Sequence, residues 1–160
     1  NKKNKNKNKT KTKSVMLIGY PMNMTRVTSE PYLYFHSQLI MEFKILEFLK
    51  KNKFHVIYKA HPDRLKEIGN IFKDYCDQFL IEKFENVINK ADILLFTYPS
   101  TSCFGYSLMN QKKIILFDRG IKWLNDNDKK LSKKIDIIPA QNQYSDHHFD
   151  SEHLLKVLGK

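Results

Sequence analysis

Apolar residues in this chain gather in short unbroken runs rather than alternating with polar ones. Residues 14–19 (SVMLIG) and 54–59 (FHVIYK) come first, and runs at 79–81, 93–96, 114–117 and 135–138 follow. Runs this short, bounded by Gly, Pro, Asp or Thr, predict strands covered on both faces. Between them the apolar positions change to helical spacing. Phe35, Leu39, Phe43, Leu46 and Leu49 recur every three or four residues up to Lys50 and Lys51. They predict the inner face of a helix that Pro31 opens and Ser29 or Glu30 caps. A second helix over about 64–77 would turn Leu65, Ile68, Ile71, Phe72 and Tyr75 inward. A short one carries Phe84, Val87, Ile88 and Ala91, and another spans 103–110. The last covers 152–159, with Leu154, Leu155 and Leu158 on one side and Asp150 or Ser151 as its cap. Residues 121–134 give no clear pattern, and Pro139 is expected to end the sixth strand.

Strands alternating with helices predict an α/β fold: a Rossmann-like, open, mostly parallel sheet with helices on both faces. A length of 160 residues suits one domain with a sizeable core. The formal charge of +11 is unevenly placed. Residues 1–13 hold seven lysines and no acid, so removing them from +11 leaves +4 for residues 14–160. That lysine- and asparagine-rich stretch has no apolar residue and cannot fold by itself. It reads as a disordered linker; the other reading is an electrostatic arm for nucleic acid or anionic lipid. Cys76 and Cys103 have neither metal nor redox spacing and make no secreted disulfide scaffold, so a reducing, cytoplasmic setting is expected. No run of about twenty apolar residues exists, and the start lacks the apolar stretch of a signal peptide.

Chemistry is expected where two strands end. Residues 92–118 read as one strand–helix–strand unit, whose turn carries Ser100, Thr101 and Ser102 at the start of the crossover helix. Hydroxyls, unpaired first-turn amides and the positive end of the helix dipole together suit an anion, most naturally a phosphate. The second point is His61. Pro62 disfavours the α region for it, so the imidazole is held extended at the carboxyl end of its strand. Both points fall on the edge where open α/β sheets bind ligands. An imidazole there can donate to a phosphoryl oxygen or offset leaving-group charge. Tyr20, Tyr98 and Tyr106 could stack on a base or simply pack beside the sheet, and the polar loop with Asn23, Thr25, Arg26 and Ser29 reads as ligand loop or plain surface. Asp146, His147, His148, Asp150, Glu152 and His153 match no zinc spacing, so no metal is expected. Lys112 and Lys113 read as a solvated turn.

The segment KAHP (residues 59–62), then ADILLFTYPSTS (91–102), then KKIILFD (112–118) resembles the donor-binding half of GT-B glycosyltransferases. It is most similar in look to bacterial capsule polysialyltransferase-like and CDP-glycerol glycerophosphotransferase families, across roughly residues 15–118. The resemblance implies that His61 with Ser100, Thr101 and Ser102 grips the phosphate of a nucleotide-activated donor, CMP- or CDP-linked, with Gly19 and Tyr20 counted among the binding residues. It implies no metal, a catalytic role for His61 at the leaving phosphate, and a polysaccharide or lipid-linked acceptor. Many relatives place a ribose-binding Glu on the helix after the Ser/Thr motif; here that place is Gly105. The acceptor-binding N-terminal half, with the base, has no counterpart in this length. The expectation is therefore the donor half of a longer transferase of surface polysaccharide synthesis, cytoplasmic and peripheral to an anionic membrane. The alternatives are a nucleotide-sugar 2-epimerase half, or a non-catalytic α/β module whose basic arm touches nucleic acid. The latter gains little, because the folded part has no basic stripe interleaved with aromatics.

Overall fold

The computed structural model describes residues 12–21, 24–25, 34–69, 71–120, 133–143 and 146–160. These form a seven-stranded sheet in the order β3-β2-β1-β4-β5-β6-β7. Its strands are β1 (Ser14–Ile18), β2 (His55–Lys59), β3 (Gln78–Leu80), β4 (Ile93–Phe96), β5 (Lys113–Asp118), β6 (Asp136–Gln143) and β7 (Asp146–Phe149). All neighbours run parallel except β6 and β7. The fold is the Rossmann-like α/β sheet that the sequence predicts. The unbroken apolar runs are explained by two cores. Val15, Leu17, Val56, Ile93, Leu95 and Ile115 face one of them. Met16, Ile18, Ile57, Leu94, Phe96 and Leu116 face the other. Helices α1 (Phe35–Lys51) and α5 (Ser151–Leu158) cover the first face, and α3 (Phe84–Val87) and α4 (Ser102–Met109) the second.

Several elements differ from expectation. The buried face of α1 is Gln38, Met41, Glu42, Ile45, Leu46 and Leu49. Phe35, Leu39 and Phe43 pack on its flank, Phe43 edge-on to Tyr75 at 4.5 Å. The helix starts at Phe35 behind Tyr34, while residues 29–31, expected to cap and open it, lie outside the described residues. The second helix is broken: α2 is only Leu65–Ile68, set between single 3-10 turns at Pro62–Arg64 and Lys73–Tyr75. Ile68 and Phe72 are buried as expected, but Ile71 is exposed. Pro139 does not end β6. It stands opposite Asp118, the last residue of β5, and from Ala140 onward the strand pairs with β7 instead. A missing N–H is tolerated there because Pro139 sits where the partner changes, and its carbonyl still accepts from the amide of Asp150 at 3.0 Å. Asp150 then caps α5, its side chain accepting from His153 N at 2.9 Å, and Gly159 closes that helix in the left-handed region. Of the lysine-rich stretch, residues 1–11 lie outside the described residues. Lys13 donates through Nζ to the carbonyl of Leu158 at the end of α5.

A fully buried ion pair joins three of these elements. Arg64 Nη1 lies 2.9 Å from both carboxylate oxygens of Glu42 and 3.1 Å from the carbonyl of Tyr20. Glu42 also accepts from the amide of Tyr20 at 2.7 Å and from the Tyr58 hydroxyl at 3.3 Å. Burial opposes the charge on Arg64, but the Glu42 carboxylate more than offsets it and raises the guanidinium pKa. Burial, and then the same carboxylate, push the Tyr58 phenol well up. Beside this cluster, a Cβ added to Gly19 would meet the Tyr58 hydroxyl at 2.7 Å and the Lys59 carbonyl at 2.9 Å. Glycine is needed there for packing.

Two stability measurements follow from these contacts. Arg64→Met, leaving a buried carboxylate uncompensated, is expected to cost about 3–5 kcal/mol in urea unfolding. The E42M/R64M double variant should lose less than the sum of its singles, and additive losses would show that the pair is not coupled. Gly19→Ala should cost about 1–3 kcal/mol by overpacking. Adding Tyr58→Phe should recover only part of it, since the Lys59 carbonyl is backbone and stays in place.

Candidate functional site

The strand order reverses direction between β1 and β4, the switch point at which doubly wound sheets bind ligands. A cleft of about 560 Å³ opens there, on the face carrying α3 and α4. Its floor is Ile18 and Gly19 at the end of β1. Lys59, Ala60, His61 and Pro62 come from the end of β2. Glu82, Lys83 and Glu85 come from the turn after β3 and the start of α3, and Ser100, Thr101, Ser102 and Cys103 from the turn after β4. Four neighbouring strand ends thus bring together His61, Gly19 and the Ser100–Ser102 turn, residues as far as 83 positions apart in sequence.

The backbone explains how each is presented. His61 has φ −82° and ψ 135°, the extended conformation that Pro62 imposes. Its Nδ1 accepts from the amide of Asp63 at 3.3 Å, which leaves the proton to Nε2. The Asp63 carboxylate lies 3.9 Å from the same Nδ1. The three hydroxyl residues divide their work. Thr101 is the N-cap of α4, its Oγ1 accepting from Phe104 N at 3.2 Å, so it serves the helix. Ser100 and Ser102 on either side of it are exposed on the cleft. Gly19 lends only backbone, because the direction of its missing side chain is toward Tyr58 and not into the cleft.

The tyrosines turn elsewhere. Tyr20 is buried, its ring edge-on to Tyr98 at 5.4 Å with the Arg64 guanidinium 5.9 Å from its centre. Tyr106 packs edge-on to Phe84 at 6.1 Å. None of the three lines the cleft. Gly105 is exposed, with nothing within 4 Å of where a Cβ would stand. Of the polar loop after β1, only Thr25 is among the described residues. The candidate metal group is drawn into structure: Asp146 and His148 belong to β7 and Asp150 caps α5. Among the described residues no three His, Cys, Asp or Glu side chains gather as a ligand set. His148 instead lines a broader groove of about 720 Å³ between α1 and β7, away from the strand carboxyl ends.

Lys59, quoted in the KAHP motif without a role of its own, and Cys103 stand in the same cleft. Lys59 is 6% exposed, and its Nζ donates to the Ala60 carbonyl at 2.7 Å. Burial lowers its pKa, while Cys103, Glu82 and Glu85 nearby pull the other way. Burial raises the Cys103 thiol, with Lys59 opposing. The signal for Lys59 is in the sequence: a cation closing a strand of mostly apolar residues, two positions before His61.

No family model matches the chain, and no curated protein matches it in sequence. Solved structures do. The structure of MT0777 matches over 91% of this chain and 94% of its own, at 19% identity and a TM-score of 0.51. The peptidyl-cysteine decarboxylase EpiD matches over 92% and 97%, at 12% identity and a TM-score of 0.54. A beta Kdo 2,7 transferase, KpsC of Thermosulfurimonas dismutans, matches over 68% of this chain and 34% of its own, at 22% identity. Its TM-score of 0.42 is too slight to bear on function. At these identities the likeness is one of fold, and the fold is Rossmann-like.

Proposed function

We propose that this chain binds the nucleotide-activated donor of a glycosyltransferase or glycerophosphotransferase of surface-polysaccharide synthesis. The observation that carries this reading is the convergence of His61 and the Ser100–Ser102 turn on one cleft at the sheet's switch point. In the reaction, an acceptor hydroxyl attacks the activated carbon or phosphorus of the donor and the nucleotide leaves with the bonding electrons. His61 Nε2–H donates to a leaving phosphoryl oxygen and offsets its charge. The Ser100 and Ser102 hydroxyls hold the remaining oxygens at the head of α4, where the helix dipole favours negative charge. Thr101 contributes by fixing that turn. The cleft supplies the donor side; the polysaccharide or lipid-linked acceptor belongs to a second half of the enzyme. Among the described residues no helix is long and apolar enough to cross a membrane. A location at the cytoplasmic membrane face, close to such acceptors, belongs to the same proposal.

The test is thermal unfolding with CMP, CDP, UDP and GDP on the wild type, His61→Ala and S100A/S102A. A nucleotide present at about a hundred times its dissociation constant should stabilise the fold by roughly 2.7 kcal/mol. One nucleotide is expected to do so selectively, with the gain lost in both variants. Equal response of wild type and variants would remove His61 and the serines from the site. Thr101→Ala should lower stability by about 1 kcal/mol even without ligand, as the loss of a helix cap does.

A further inference from the structure

The end of the sheet where the strands begin lies opposite the cleft and carries a surplus of lysines that the reaction above does not use. Lys13 precedes β1, Lys53 lies two residues before β2, and Lys112 and Lys113 lead into β5. Lys134 lies two residues before β6, and Lys160 follows α5. Lys112 is half-buried and the other five are exposed. Backbone carbonyls hold several of them in place. Lys13 and Lys113 donate to Leu158 and Val157 at the end of α5, Lys112 to Ala91 and Lys160 to Asn52. These acceptors are neutral, so the charges are positioned without being cancelled.

The carboxylates beside these strand starts are already engaged. Asp77 pairs with Lys50 at 2.5 Å, and Asp136 lies 3.7 Å from Lys113. Asp92 accepts from the Ser14 amide at 2.9 Å and from its hydroxyl at 2.8 Å. Among the described residues no carboxylate lies within 4.0 Å of Lys13, Lys53, Lys112, Lys134 or Lys160. At the cleft, by contrast, Asp63, Glu82 and Glu85 stand among His61, Lys59 and Lys83. The surplus charge is thus gathered at one end.

An apolar side chain stands among these lysines. Helix α4 begins at the cleft and ends at Met109, which is 75% exposed and shares a shallow hollow with Gln111, Lys112 and Lys134. The starts of β2, β1, β4, β5 and β6 are neighbours, so at strand spacing the surface they make is about 20 Å wide. A broad basic surface with an apolar tip suits the headgroup layer of an anionic bilayer, where lysines meet lipid phosphates and the apolar group enters the acyl boundary. Single-stranded nucleic acid is held on exposed aromatic platforms, and Phe54, an aromatic ring at this end, is buried beneath Lys160.

We propose that the strand-start end is the face by which this domain lies on an anionic lipid surface, with the cleft open on the opposite side. It gives the membrane location proposed above a defined face, and it stands or falls separately from the donor pocket.

Sedimentation of the full chain with vesicles tests this, using equal parts of phosphatidylglycerol and phosphatidylcholine against phosphatidylcholine alone at physiological ionic strength. The mixed vesicles are expected to bind the protein and the neutral ones to leave it in solution. A lysine at an anionic surface contributes about fivefold to partition, so K53Q/K134Q/K160Q should bind about a hundredfold more weakly. K44Q/K66Q/K73Q, an equal loss of charge on other sides of the domain, should change binding by less than about threefold. Met109→Ser should weaken vesicle binding several-fold and leave binding of a DNA duplex unchanged. Lys134→Gln alone, expected to bind about fivefold more weakly, replaces the triple variant if thermal unfolding shows the latter to be misfolded. No binding to the mixed vesicles overturns the proposal. Equal losses in the two triple variants also overturn it, by assigning the binding to net charge or to residues 1–11. Duplex binding tighter than vesicle binding, and lost in K53Q/K134Q/K160Q, would make the face a nucleic-acid site instead. Nucleotide stabilisation is read separately, so either proposal can fail alone.

Discussion

The architecture of the cleft depends on the buried pair of Glu42 and Arg64. A carboxylate and a guanidinium withdrawn from water repay their desolvation only where every remaining donor and acceptor nearby is well used. Glu42 meets this on its own side by taking the Tyr20 amide and the Tyr58 hydroxyl as well as the guanidinium, whereas Arg64 Nε and Nη2 are buried without a hydrogen-bond partner among the described residues. Arg64 adds the Tyr20 carbonyl. The result is a clamp between the middle of α1, the chain leaving β1 and the turn that follows His61. Two of those segments border the cleft on the other face of the sheet. The charges are therefore spent on fixing where β1 ends relative to the His-Pro turn, something apolar packing specifies less sharply.

From that anchor the edge of the cleft is built by short-range rules. Pro62 keeps His61 extended, and the Asp63 amide selects its tautomer. Thr101 commits its hydroxyl to the head of α4 and thereby holds Ser100 and Ser102 outward. Gly19 is required by Tyr58 and the Lys59 carbonyl behind it, and only as a consequence does the cleft floor remain bare backbone. Lys59 contrasts with Arg64: both are buried cations near the ends of neighbouring segments, but one has a carboxylate and the other has a carbonyl. That asymmetry leaves Lys59 without the buried ion pair that fixes Arg64.

Much of this was legible in the chain. Unbroken apolar runs of four or five residues require cover on both faces, and alternation with helical spacing then leaves few arrangements besides an open parallel sheet. Five of the six expected strands lie within one or two residues of their predicted limits, because a residue such as Gly19, Asp92 or Thr97 ends a run by its own chemistry. The His-Pro step and the Ser-Thr-Ser turn could be singled out for the same local reasons. The errors arose where local chemistry was a poor guide. Glu42 and Gln38 face inward because a partner 22 residues away, Arg64, neutralises one of them, and a reading by hydrophobicity turns α1 by part of a turn. Pro139 reads locally as a stop, though the strand continues by exchanging β5 for β7 at that residue.

The sequence by itself determined the class of fold and placed His61 and the Ser100–Ser102 turn at the carboxyl ends of two strands. These are properties of short windows, set by periodicity, φ restriction and capping. Only the tertiary structure decided which strand ends become neighbours, and hence that β2, β1 and β4 present Lys59, Gly19 and the serines side by side. It likewise decided that Tyr20 is buried beside Arg64 while Ser100 meets solvent. Strand order and burial are set by contacts between residues tens of positions apart, whose energies are settled jointly by the packed core and not by any one stretch of the chain.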